Sequence, residues 1–328
     1  MGKILVLGSN SPSGASFCAH ALDLGYEVIA TSRSPEKPDA FLPYRWNGRT
    51  GLTFHQIDLN KDMAALKSLM LLHRPRHVLN FASQSMVAQS WENPVHWMRT
   101  NVVAVVELLE LLRSMDFLER YIHFSTPEVY GTTDDWVREH RHYAPSTPYA
   151  SSRAAGDMNV ALWAATYGLP AVITRAANVY GEGQQLYRII PRALLCAFTG
   201  QKLPLQGGGL SERSFIHFDD VSRAMMLLIE QGRPGQDYHV SPRSSIRIRD
   251  LVRLIADIAD VTFDDLVDMA PDRLGKDQSY RLDPARMNEE FGWTPEISLD
   301  DGLRRCAAWC RTHLDLFKTL PQVYHHSP

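Results

Sequence analysis

Over the first 180 or so positions, short apolar runs alternate with longer segments whose apolar residues recur every three or four places. Residues 3–7, Lys-Ile-Leu-Val-Leu, have the continuous apolar character of a strand covered on both faces. A helical period follows over about residues 15–24 and stops at Gly25, a residue suited to a helix end. The same reading places strands at 27–31, 53–57, 77–81, 121–124 and 171–175, and helices at 63–73, 94–115 and 148–167. Strands that alternate with helices predict an α/β fold with a doubly wound parallel sheet. From about Val179 the alternation gives way to loops rich in Gly and Pro, at 181–185 and 203–209, with helices between them. The expected organisation is therefore a nucleotide-binding domain over 1–178 and a smaller C-terminal substrate-binding part over 179–328. Segments near 215–240 are candidates to return to the first domain. No repeat or long linker separates the two parts, which predicts close packing between them.

Composition narrows the function classes. The chain has 328 residues, 45% of them hydrophobic, enough for a large core without staples. A formal net charge of −3 offers no global basic field, which argues against a nucleic-acid partner. Cys18, Cys196, Cys306 and Cys310 are scattered, as expected in a reducing cytoplasm. Cys306 and Cys310 have helical spacing but no nearby second pair, so they read as helix packing and no metal site is expected. No apolar run reaches membrane-spanning length, and the immediate entry into a strand argues against a signal peptide.

Chemistry enters with the loop Gly8-Ser-Asn-Ser-Pro-Ser-Gly14, between the first strand and the first helix. That is where a Rossmann sheet holds a pyrophosphate, because glycines admit the backbone and a helix N-terminus favours an anion. Ser11 stands where a middle glycine is expected. A plain strand-to-helix turn is the rival reading of this loop. After the second strand come Ser32 and Arg33. A small residue followed by a cation suits a 2′-phosphate, so NADP is favoured over NAD. Asp58, after the third strand, is placed to reach the adenine.

Two further segments carry reactive groups. Ser125-Thr-Pro-Glu-Val-Tyr-Gly131 follows the fifth strand, and Pro148-Tyr-Ala-Ser-Ser-Arg153 opens a long helix. A Tyr with a cation four residues later puts a phenol beside a positive charge on one helix face. With the Gly8 loop, these segments resemble the extended short-chain dehydrogenase/reductase family, in its nucleotide-sugar epimerase and dehydratase group. Asn80-Phe-Ala-Ser-Gln-Ser85, Thr100-Asn-Val102, Asn178-Val-Tyr-Gly181, the segment 213–221 and Gly292-Trp293 with Pro295 extend the resemblance almost end to end. Arg273-Leu-Gly-Lys-Asp277, with Tyr280 and Asp283, is similar to a segment typical of 4,6-dehydratases.

The resemblance implies Thr126 as hydroxyl partner, Tyr149 as acid/base, Arg153 in the lysine position, and Glu128 as the base at C5 of a hexose. It implies cofactor contacts from Gly8, Asn10, Ser11, Gly14, Ser32, Arg33, Asp58, Leu59, Ala82, Tyr149 and Arg153. Substrate contacts are implied for Ser85, Thr126, Asn178, Arg188, Arg213 and Arg273, with Asn178 and Arg213, joined by Arg273, implied to hold the substrate diphosphate. A homodimer through a four-helix bundle is implied too, and the helices at 94–113 and 149–167 carry apolar residues on more than one face.

Three departures bear on activity. Ser11 adds a side chain near the pyrophosphate, with a hydroxyl able to donate to it. Pro127 fills a position where related dehydratases carry a proton donor, and Pro transfers no proton. Arg153 keeps its charge and lowers the Tyr149 pKa electrostatically, but it relays no proton at neutral pH. The expected activity is nucleotide-sugar 4,6-dehydration with an internally recycled nicotinamide. A C4-epimerase, a uronic-acid decarboxylase and a non-catalytic NADP-binding regulator stand as alternatives.

Overall fold

The computed structural model describes residues 2–271 and 279–327. Seven strands form one sheet: β1 (Lys3–Leu7), β2 (Glu27–Ser32), β3 (Leu52–Gln56), β4 (His77–Asn80), β5 (Arg120–Ser125), β6 (Ala171–Ala176) and β7 (Asp237–Val240). Their order is β7-β6-β5-β4-β1-β2-β3. Every neighbouring pair is parallel. The order reverses between β1 and β4, and a crevice opens at such a switch point beyond the carboxyl ends of the strands. Leu7 lies opposite both Thr31 and Asn80, so the loops after β1, β2 and β4 leave the sheet at one level.

The alternation of side chains divides the core. Ile4 and Val6 join a cluster with Phe17 of helix α1 (Pro12–Asp23) and Met225 further along the chain. Leu5 and Leu7 face the other side, with Leu66 of α2 (Met63–His73), Leu108 of α3 (Ala104–Arg113) and Val160 of α4 (Pro148–Tyr167). Both faces are covered, which is why these strands read as unbroken apolar runs.

Helix α1 begins at Pro12, three residues before its apolar period. Ser11 is its N-cap and accepts a hydrogen bond from the Gly14 amide, and Pro12 takes the first turn, where no donor is needed. The helix predicted over 94–115 is interrupted: a π-helical turn, Arg99–Val103, joins Pro94–Met98 to α3. Buried Asn101 sits in that turn. Its amide nitrogen donates to the Gln84 carbonyl at 3.0 Å and to Ser152 Oγ at 2.9 Å, and its amide oxygen accepts from the Gln84 amide at 2.9 Å.

After β6 the chain builds a second core around Leu194, Ile255, Leu303 and Phe317. Helix α5 (Phe218–Gln231) lies against α1, where Ser16 and Ser222 hydroxyls meet at 3.2 Å, and leads into β7 at the sheet edge. Short parallel pairs, Asn178–Tyr180 with Phe215–His217 and Leu203–Gln206 with Val267–Ala270, shape the C-terminal lobe. No helix of the described residues is long and apolar enough to cross a membrane.

Candidate active site

Two cavities adjoin at the carboxyl edge of the sheet. The first, about 440 Å³, is lined by Gly8, Asn10, Ser11, Ser32, Arg33, Asp58, Leu59, Ala82 and Ser85 among others. Gly8 has φ +84°, and a Cβ there would lie 2.6 Å from the Ala82 amide nitrogen. A side chain is therefore excluded where the β1 and β4 loops touch. Gly14 lines neither cavity; a Cβ on it would lie 2.4 Å from the Gly8 carbonyl oxygen, so it lets α1 close onto the turn.

Ser11 uses its hydroxyl locally. It donates to the Gly8 carbonyl at 2.7 Å and accepts from the Gly14 amide at 3.1 Å, so its proton is committed to the turn rather than aimed at an anion. The Asn10 amide donates to the Pro35 and Ser34 carbonyls at 2.8 and 3.0 Å, tying the β1 loop to the β2 loop. Asp58 Oδ1 accepts from the Asn60 amide at 3.0 Å. Arg33, the residue favouring NADP, donates to the Ser327 carbonyl at 3.1 Å.

Lys37 lines this cavity and was not foreseen. Its ammonium donates to the Asn10 carbonyl at 2.8 Å, and burial pushes its pKa down to about 8. It sits in an aperiodic polar loop, with no motif to mark it. Gln84, within the segment 80–85 that carries the resemblance, also walls the cavity, as do Tyr187 and Tyr324, which no motif marks.

The second cavity, about 520 Å³, shares Ser11, Phe81 and Ser85 with the first. It brings together Thr126, Glu128, Tyr149, Arg153, Asn178, Arg188 and Arg213. Arg273 and the 273–277 motif lie outside the described residues. The carboxyl end of β5 turns into a 3-10 helix, Pro127–Tyr130. Thr126 is its N-cap, with the Glu128 amide donating to the threonine hydroxyl at 3.3 Å, and Pro127 occupies the first position, where it is conformationally suited.

Tyr149 is buried at the start of α4, and its phenol hydrogen-bonds Thr126. Burial raises its pKa, the Glu128 carboxylate raises it further, and Arg153, Thr126 and Arg188 pull it back. Arg153 thus acts in the expected direction, yet burial outweighs it. Its guanidinium donates to the Phe124 carbonyl. Across the cavity, Tyr280 donates to Asn178 Oδ1 at 3.0 Å, and the Arg213 guanidinium lies over the Tyr280 ring, 4.5 Å from its centroid. Arg188 reaches Ser85 Oγ at 3.4 Å. Among the described residues no group of His, Cys, Asp and Glu is arranged to hold a metal.

A 3-2-1-4-5-6-7 parallel sheet, a glycine cradle at its switch point and a Thr/Tyr/Arg cluster beside it define a Rossmann protein of the extended short-chain dehydrogenase/reductase class. The family model for GDP-mannose 4,6 dehydratase matches residues 5–306. The dTDP-glucose 4,6-dehydratase of Neisseria meningitidis serogroup B is 31% identical, covering 94% of this chain and 93% of its own. The crystal structure of the dTDP-glucose 4,6-dehydratase DesIV from Streptomyces venezuelae, with NAD bound, superposes with a TM-score of 0.89 at 29% identity over 96% of this chain and 98% of that one. A UDP-glucose 4-epimerase from Thermotoga maritima superposes with a TM-score of 0.87 at 26% identity, over 95% and 99% of the two chains. The chain belongs to the GDP-mannose 4,6 dehydratase family.

Proposed function

We propose that the protein is a nucleotide-sugar 4,6-dehydratase that uses NAD and converts an NDP-hexose to its 4-keto-6-deoxy derivative. The observation that carries this reading is the meeting of Thr126, Glu128 and Tyr149 in one cavity that continues into the glycine-cradled one. The relatives named for dTDP-glucose 4,6-dehydration support dTDP-glucose as the first substrate to test. NAD is favoured over NADP because NAD is bound in the related structure and Arg33 is engaged by the Ser327 carbonyl.

NAD, when bound, supplies a hydride acceptor at C4 and then a hydride donor at C6. Gly8 and Asn10 with the N-terminus of α1 would hold its diphosphate, and Ser32, Asp58, Leu59 and Ala82 would wall its nucleoside. As its phenolate, which burial disfavours and Arg153 favours, Tyr149 accepts the C4 hydroxyl proton, with the Thr126 hydroxyl orienting that group. Arg153 favours the phenolate by its fixed charge. Once C4 is a ketone, the C5 proton is acidic and the Glu128 carboxylate removes it. The same proton passes from Glu128 to the C6 hydroxyl, which leaves as water, so Pro127 need donate nothing; Glu128, reprotonated from solvent, then returns a proton to C5, and the proton held by Tyr149 passes to solvent. Asn178, Arg188 and Arg213, which line the same cavity, would hold the substrate diphosphate.

Glu128→Gln tests the reading. The side chain keeps its shape but loses its basicity, so dehydration should fall about 10²–10⁴-fold, along with solvent deuterium entry at C5. Dehydration at the unaltered rate would remove Glu128 from the mechanism. A C4-epimerase is the second reading, favoured by Pro127 and the epimerase superposition. It gives Glu128 no task. We also propose a homodimer through the helices over 94–113 and 149–167, a reading supported by the exposed apolar residues Val95, Met98, Val103, Met158 and Leu162.

A further inference from the structure

Residues 320–327 follow the 5–306 stretch matched by the family model, yet they wall the first cavity. Leu320, Pro321, Val323, Tyr324 and His325 all line it. The contacts of this segment are spread over several elements. The Ser327 carbonyl accepts from Arg33 at 3.1 Å, just after β2, and from the Gln84 side chain at 2.9 Å, after β4. The His326 ring stacks on Trp97, with centroids 4.8 Å apart and planes at 22°, and its Nε2 lies 2.8 Å from His96 Nδ1. Tyr324 meets the Tyr187 ring edge-on at 5.3 Å, on the substrate-side lobe. In a sheet of this order, the end of β2 faces the adenosine ribose of a bound dinucleotide. The segment therefore spans the cavity from its adenosine side to the substrate lobe.

We propose that residues 320–327 form a strap that retains the dinucleotide, latched by the Ser327 carbonyl on Arg33 and Gln84. The inference rests on the reading of this cavity as the nicotinamide cofactor site. A cofactor regenerated in every turnover has no need to leave, and contacts that close over a bound ligand act chiefly on its dissociation rate. The latch also selects the cofactor. A 2′-phosphate and the Ser327 carbonyl compete for the Arg33 guanidinium, so the closed strap favours NAD.

The test compares NAD dissociation, followed by stopped-flow fluorescence, from the full chain, from a chain ending at Thr319 and from His326→Ala in the full chain. Release should be about 10-fold faster without the strap and faster in the same direction for His326→Ala, which guards against a truncation that fails to fold. The truncated chain should also gain NADP affinity relative to NAD, and NAD should slow chymotryptic cleavage at Tyr324 in the full chain. Unchanged release from a strapless chain that still binds NAD overturns the strap and leaves the cofactor site standing. Failure of full and truncated chains alike to bind NAD overturns both.

Discussion

Arg153 is the residue at which the site departs furthest from the pattern it resembles. It is buried, its guanidinium is held by the Phe124 carbonyl, and it lowers the Tyr149 pKa against the larger effect of burial. Those are electrostatic tasks that a lysine also performs. Arg153→Lys should therefore leave kcat within about tenfold, or about 1.4 kcal/mol in barrier, whereas Tyr149→Phe should abolish turnover. A loss well beyond tenfold in Arg153→Lys would show that guanidinium geometry is required. Lys37 gives a prediction in pH. Its pKa is about 8 in the folded protein, against an ordinary value of 10.5, because burial disfavours its charge. Between these values the unfolded chain binds more protons, so stability without cofactor rises with pH across that window. A bound diphosphate favours the charged form. NAD affinity should therefore fall as pH rises above 8, and Lys37→Met should remove that dependence. Titration calorimetry at several pH values checks this, and equal pH slopes for the two proteins would exclude Lys37 from the site.

Elements with a strong period were legible, and those set by distant contacts were not. β1, α2 and α4 run as their apolar patterns indicate, because both sheet faces are covered and the pattern records it. The π turn at Arg99–Val103 left no trace in the period; the cause is the Asn101 side chain, which bonds Gln84 and Ser152. Thr126, Glu128 and Tyr149 were expected from the resemblance of their segments to the family, and the fold brings them to one cavity because those segments are a strand-end loop and a helix start at the same sheet edge. Lys37 and the 320–327 contacts were not expected, since nothing local records that those segments meet the β1 and β2 loops. Arg175 is a further case. It closes an apolar strand, and its full burial was invisible in the sequence. It donates to Asp157 of α4 at 2.8 Å, to Asp237 of β7 at 3.0 Å, and to the Tyr130 and Tyr143 hydroxyls at 3.0 and 2.6 Å. It thus pins the helix carrying Tyr149 to the turn carrying Glu128. Arg175→Met takes the ion-pair partner from the buried Asp157 carboxylate, while Asp237 keeps Arg141, and should cost about 3–5 kcal/mol in urea unfolding. A loss below about 1 kcal/mol would show that the network relaxes without it.

At the scale of the whole molecule, one surface stands out. Val95, Met98 and Val103 on the segment leading into α3, and Met158 and Leu162 on α4, are exposed apolar residues. A helix that packs only against its own sheet needs a single apolar stripe. The second stripe supports a two-fold pairing of these helices, and a homodimer is the expected state at micromolar concentration by light scattering. Met158→Glu with Leu162→Glu should shift the protein to monomer, and a wild-type monomer would refute the interface. The central claim, however, is about chemistry. Its most direct test is mass spectrometry of the product formed from dTDP-glucose, and from a panel of other nucleotide sugars, in deuterated water. The account predicts loss of one water and entry of one solvent deuterium at C5. A product of unchanged composition with C4 inverted, or loss of carbon dioxide from a uronic acid, would contradict it.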